Sequence, residues 1–186
     1  MTAKNLYPDR AFYDEKQTNK TMTKSTFVLL FLFVLPTCIF SQETTYSTVK
    51  TKTVDVKIPG SWEQLNTMDD SGQTYLRNKE GITIAIAQNP KKAYSFYKSN
   101  KSDFENVKLF YEWDSDYYKE NKFETAKLKE DAKLEYIIWK FNDKKLDNVF
   151  LFGSVKNNFI NLLVYTNDWS EADKITFLEN LYKLNK

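Results

Sequence analysis

The sequence predicts an α+β fold: an antiparallel sheet covered by a long central helix and a C-terminal helix. Three observations carry this. Two apolar runs, 149–155 and 159–166, flank Asn157-Asn158, a pair that tolerates the positive φ of a tight hairpin turn. The strand-period segments around them are joined by short turns, which make consecutive strands antiparallel neighbours. Two segments, 102–117 and 170–182, switch to helical spacing, and each opens on a serine with an acid three residues later.

The hairpin organises the rest. Both of its runs are nearly continuous in apolar residues, so it is expected at the centre of the sheet with both faces covered. Leu163 is then a core residue.

At the N-terminus, residues 27–40 form an uncharged apolar run preceded by Lys20 and Lys24 and followed by Ser41-Gln42-Glu43. A membrane span needs about 20 apolar residues, so this run suits the hydrophobic segment of a signal peptide. Cleavage is expected between Ser41 and Gln42, and Met22 is the natural start of such a leader. The alternatives are an uncleaved N-terminal anchor, since Ile39 is large for its position, or lipidation of Cys38. The expected organisation is a leader over 1–41, a linker over 42–53 and one α+β domain over 54–186. The protein is then secreted or periplasmic, and it meets the membrane only transiently, through its leader.

Five of the 27 basic residues (Lys4, Arg10, Lys16, Lys20, Lys24) and three of the 25 acidic ones (Asp9, Asp14, Glu15) precede Gln42. Acids and bases therefore balance in the mature segment, which gives no global electrostatic case for a nucleic-acid partner. The chain has no histidine, and its single cysteine, Cys38, lies in the leader. Ser-His-Asp and Cys-His catalysis, imidazole ligation and cysteine zinc sites are thereby excluded. No disulfide can staple the mature domain.

In chain order, Val54, Val56 and Ile58 alternate with polar residues as a half-buried strand ended by Pro59-Gly60, and 61–65 reads as a turn carrying Trp62. A strand over 73–77, a loop at 78–81 with Gly81 in a left-handed position, and a strand marked by Ile82, Ile84 and Ile86 make a hairpin. The small Ala85 and Ala87 imply close packing on the second face. A short helical piece is expected at Tyr94–Tyr97. The long helix follows, its apolar series running Phe104, Val107, Phe110/Tyr111, Trp113/Asp114, Tyr117. Strands 123–128 and 134–141 flank a charged turn at 129–131, and the final helix carries Ile175, Leu178 and Leu181/Tyr182 as its apolar stripe.

The segment Val56-Lys-Ile-Pro-Gly-Ser-Trp62, the hairpin around Asn78-Lys-Glu-Gly-Ile82, the long helix, the run of antiparallel strands and the final helix headed by Trp169 together resemble the PsbP-like α/β/α sandwich over most of 48–186. That resemblance implies a binding or accessory role and carries no particular site residues with it.

Asp114-Ser-Asp116 and Asp69-Asp70-Ser-Gly72 lack the continued ligand spacing and closing glutamate of a calcium loop, so no metal site and no cofactor is expected. Aromatic residues are abundant (four Trp, twelve Tyr, fourteen Phe), and most are expected to fill the core. The candidate binding surface is Trp113, Asp114, Asp116, Tyr117 and Tyr118, with Tyr118 expected to point away from the sheet. Three functional classes follow. The first is a non-catalytic binding or accessory protein for an unknown protein or small ligand. The second is an immunity or inhibitor protein for a partner enzyme, and the third is a carboxylate-based hydrolase.

Overall fold

The computed structural model describes residues 45–186 apart from 52 and 70. The leader, Cys38 and the Ser41-Gln42 junction lie outside the described residues. The elements run β1 (Tyr46–Lys50), β2 (Asp55–Pro59), β3 (Trp62–Thr67), β4 (Thr74–Asn78), β5 (Thr83–Pro90), a 3-10 turn (Lys91–Ala93), α1 (Asp103–Glu120), β6 (Glu124–Asp131), β7 (Tyr136–Asn142), β8 (Asp147–Val155), β9 (Asn158–Tyr165) and α2 (Glu171–Asn185).

The fold is α+β. Strands β1 and β2 form a separate hairpin, and the other seven make one antiparallel sheet in the order β3-β4-β5-β9-β8-β7-β6. The β8–β9 hairpin holds the centre, as its two-sided apolar runs require. Helix α1 packs over β6, β7 and β8, while α2 packs over β8 and β9 with β2 beside it.

Both helices start where the sequence signals. Ser102 accepts a hydrogen bond from the Glu105 backbone N–H, and the Glu105 carboxylate accepts one from the Ser102 N–H, a complete capping box. Ser170 caps α2 by accepting from the Asp173 N–H.

Several local expectations are corrected. Residues 46–50, within the expected linker, are strand β1: Val49 is buried, and the Ser47 hydroxyl donates to the Gly60 carbonyl and accepts from the Trp62 N–H. The turn expected at 61–65 is strand β3, and the charges at Lys129-Glu130-Asp131 lie inside β6. Both are edge strands with a register shift, at Gln64/Asn66 and at Lys127/Lys129. An edge strand has little to bury, so it lacks the apolar alternation by which strands are read, and its charges and bulges discourage pairing with another chain. In the central hairpin the positive φ falls on Lys156 (53°), and Asn158 already pairs with Val155. The short helical piece is Lys91–Ala93, ahead of the expected Tyr94–Tyr97.

The two faces of the sheet differ in chemistry. On the α2 side, Ile138, Val149, Leu151, Ile160, Leu162 and Val164 form a mainly aliphatic core with Leu178 and Leu181. On the α1 side, Trp139, Phe141, Phe150, Phe152 and Phe159 pack on Val107 and Phe110. The continuous apolar runs thus hide a period of two: along β8, Val149 and Leu151 face α2 while Phe150 and Phe152 face α1. Rings stack across the aromatic layer, Phe110 on Phe152 at 4.0 Å and Trp139 on Phe150 at 4.8 Å between centroids.

Candidate functional site

Helix α1 covers the β6–β8 part of its face of the sheet, and the β4, β5 and β9 part is left to the segment after β5. Ala85 and Ala87 on this face have no bulk to fill the remaining space. The result is a cleft of about 660 Å³, lined by Tyr94, Phe110, Trp113, Asp114, Tyr118 and Phe150, with Gln73, Asn89 and Asn161 on the sheet side and Thr53, Ser71, Pro90 and Ala93 at its margin.

The walls are held in place by identifiable contacts. Tyr94 lies 5.1 Å from Phe110 and 6.2 Å from Trp113 between ring centroids, and its hydroxyl accepts from Asn89 Nδ2 at 3.1 Å. The same Nδ2 donates to the Ser71 carbonyl at 2.9 Å, so Asn89 ties both margins to β5. Buried Asn106 accepts from the Lys98 N–H and donates to the Lys98 carbonyl, both at 2.9 Å, which pins the segment after Tyr94 to α1. At the other end, Lys91 bridges Asp103 (2.6 Å) and the Lys156 carbonyl (2.7 Å), locking the start of α1 to the β8–β9 turn.

Two polar groups in the cleft are unsatisfied by the protein. Half-buried Asp114 makes no ion pair and no side-chain hydrogen bond among the described residues, and burial pushes its carboxyl up to about 7 from the usual 3.8. The Oδ1 of Asn161 is buried without a hydrogen-bond partner. Burial also raises the Tyr118 and Tyr94 hydroxyls, with the charge of Asp114 adding to both, so each ring keeps its proton and can donate.

The five candidate surface residues divide. Trp113, Asp114 and Tyr118 line the cleft, and Asp116 and Tyr117 do not. Asp116 pairs with Lys119 at 2.8 Å on the exposed face. Tyr118 corrects the expectation that it points away: it is half-buried and stacks on Phe141 at 3.9 Å. Trp113 and Tyr117, expected to be able to face the sheet, are 52% and 60% exposed. The inward face of α1 follows the apolar series read from sequence through Val107 and Phe110/Tyr111, then runs Asp114/Ser115 and Tyr118, one position out of phase with its Trp113 and Tyr117. The large ring of Trp113 drew that reading outward. Tyr94, Asn89 and Asn161 carried no sequence signal, because they meet Asp114 only through the pairing of β5 with β9.

A second cleft, of about 450 Å³, lies among Trp62, Trp169 and Phe177 at the other side of the sheet. There the Trp62 Nε1 is already engaged with the Pro59 carbonyl at 2.8 Å. Among the described residues no group of three or more His, Cys, Asp or Glu is placed to hold a metal ion, and no helix is long and apolar enough to cross a membrane. No protein-family model and no curated protein matches the chain.

Proposed function

We propose that this is an exported, non-catalytic binding protein whose ligand enters the cleft between α1 and the β4-β5-β9 part of the sheet. The observation that carries the reading is the combination of aromatic walls with the unpaired Asp114 carboxyl in one cleft, the usual make-up of a small-ligand site. Among the described residues Asp114 is the single carboxylate in the lining, whereas a hydrolase of the two-acid type needs a second acid on the opposite wall. Export and a PsbP-like relationship belong to the same proposal: the first rests on the apolar leader, the second on the α/β/α layering. A second reading, docking of a partner enzyme as an immunity or inhibitor protein would, draws on exposed Trp113 and Tyr117 at the outer rim.

The test is a nuclear magnetic resonance screen of the labelled protein against cationic, neutral and anionic fragments. Shifts clustering on Tyr94, Trp113, Asp114 and Asn161 are expected. Shifts confined to the Trp62–Trp169 cleft, or no shifts with any fragment class, would overturn the reading.

A further inference from the structure

Charge and hydrogen-bonding capacity in the cleft are one-sided. Among the described residues Asp114 is the only charged one lining it, and no described lysine or arginine balances it. The surrounding walls are aromatic, and ring faces carry the negative side of a quadrupole that attracts cations. An anionic ligand would meet no counter-charge among the described residues. A neutral apolar ligand would leave the Asp114 carboxylate further desolvated with no compensation. One carboxylate and one amide oxygen are too few for a calcium ion, which takes 6–8 oxygen ligands. A cation carried on an apolar body matches both the carboxylate and the rings.

Building on the binding-protein reading, we infer that the cleft takes an ammonium group on an apolar stem, with Asp114 as its counter-ion and the rings of Tyr94, Trp113 and Tyr118 as its walls. The ammonium donates to the Asp114 carboxylate, and the stem lies against Phe110 and Phe150. Among the described residues the titratable groups facing Asp114 are Tyr94 from the segment after β5 and Tyr118 on its own helix, with Tyr75 of β4 acting on Tyr118. Burial raises the Tyr94 and Tyr118 hydroxyls, so neither ionises near neutrality. The carboxylate form binds the cation, so affinity is expected to fall as pH drops through the value of about 7 that burial imposes on Asp114.

Calorimetric titration of the full chain with n-hexylammonium, n-hexanol and n-hexanoate tests this, with an Nα-acetyl-lysine amide arm to separate a free amine from a lysyl side chain. Hexylammonium should bind at least tenfold tighter than the alcohol, and hexanoate should not bind. Between pH 8 and pH 6 the ammonium affinity should drop about tenfold, because the ionised fraction of a group titrating near 7 changes by that factor. Asp114→Asn should lose both the preference and the pH dependence, while Asp116→Asn, an exposed ion-paired control, should keep both. Hexanol binding as tightly as hexylammonium, or unchanged ammonium affinity in Asp114→Asn, would overturn the inference and leave the cleft as a neutral-ligand site. Absence of binding by every probe would overturn the binding reading along with it.

Discussion

Gly153 of β8 and Tyr182 of α2 are in direct contact across the aliphatic layer: a Cβ at Gly153 would lie 2.4 Å from Tyr182 Cε2. The tyrosine is fully buried, and its hydroxyl sits within 2.7 Å of the Leu134 carbonyl and 2.8 Å of the Ser154 carbonyl. The hydroxyl also accepts from Lys186 Nζ at 3.1 Å. Glycine is needed here for the closeness of the ring, since its own φ is not in the left-handed region. Gly153→Ala is expected to destabilise the fold by roughly 1–3 kcal/mol, the cost of overpacking a filled core. Chemical denaturation should show it, and the loss should shrink when Tyr182→Leu is added to relieve the clash.

Leu163 pairs with Ala85 on one side and Phe150 on the other and is 6% exposed. Leu163→Asp places an unpaired carboxylate in the aromatic layer and should cost about 3–5 kcal/mol or unfold the domain. A melting temperature within a degree or two of the parent would show that this strand is not in the core.

Trp113 and Tyr118 both wall the cleft, but Tyr118 is also packed against the aromatic core. Tyr118→Ala removes a ring stacked on Phe141 and should lower stability by about 2–4 kcal/mol, near the range for large-to-small core changes. Trp113→Ala, at a half-exposed position, should cost about 1 kcal/mol or less yet weaken ligand binding in the cleft. Thermal melts and titrations of both variants check this. A Trp113→Ala protein that folds normally and binds like the parent would move the site elsewhere.

Asp114 sets a pH dependence of stability. Its carboxyl is raised to about 7 in the folded chain and returns to the ordinary carboxylate range on unfolding. The folded state therefore holds the proton more tightly, so stability falls as pH rises from about 4 to about 7. Asp114→Asn should remove that slope and be the more stable protein at pH 8, by roughly 1–3 kcal/mol after discounting for partial solvent screening. Melting temperatures across pH 4–8 decide it, and parallel curves for parent and variant would contradict it.

Export predicts a mature N-terminus at Gln42, after the apolar run of 27–40. N-terminal sequencing of the protein recovered from outside the cytoplasm checks this. An intact leader, or a terminus at Cys38, would replace secretion by anchoring.

Local chemistry determined much of this protein before any tertiary contact. The Ser102 and Ser170 caps, the left-handed Gly81 and the apolar runs of β8 and β9 act within a few residues, so their structural consequences can be read along the chain. The α+β class and the central hairpin followed from them. What the tertiary structure decided involves partners far apart in sequence. Strand β9 pairs with β5 across the whole helical and meander region, and this brings Asn89 and Asn161 to one cleft with Asp114. Strand β3 and the charged 129–131 end of β6 become strand only because a neighbour supplies their hydrogen bonds, since these mostly polar residues bury little. Asp114 looks like a surface acid in the sequence. It becomes a desolvated carboxyl because α1 turns that side toward the sheet, a rotation set by the stacking of Phe110 on Phe152 and Tyr118 on Phe141.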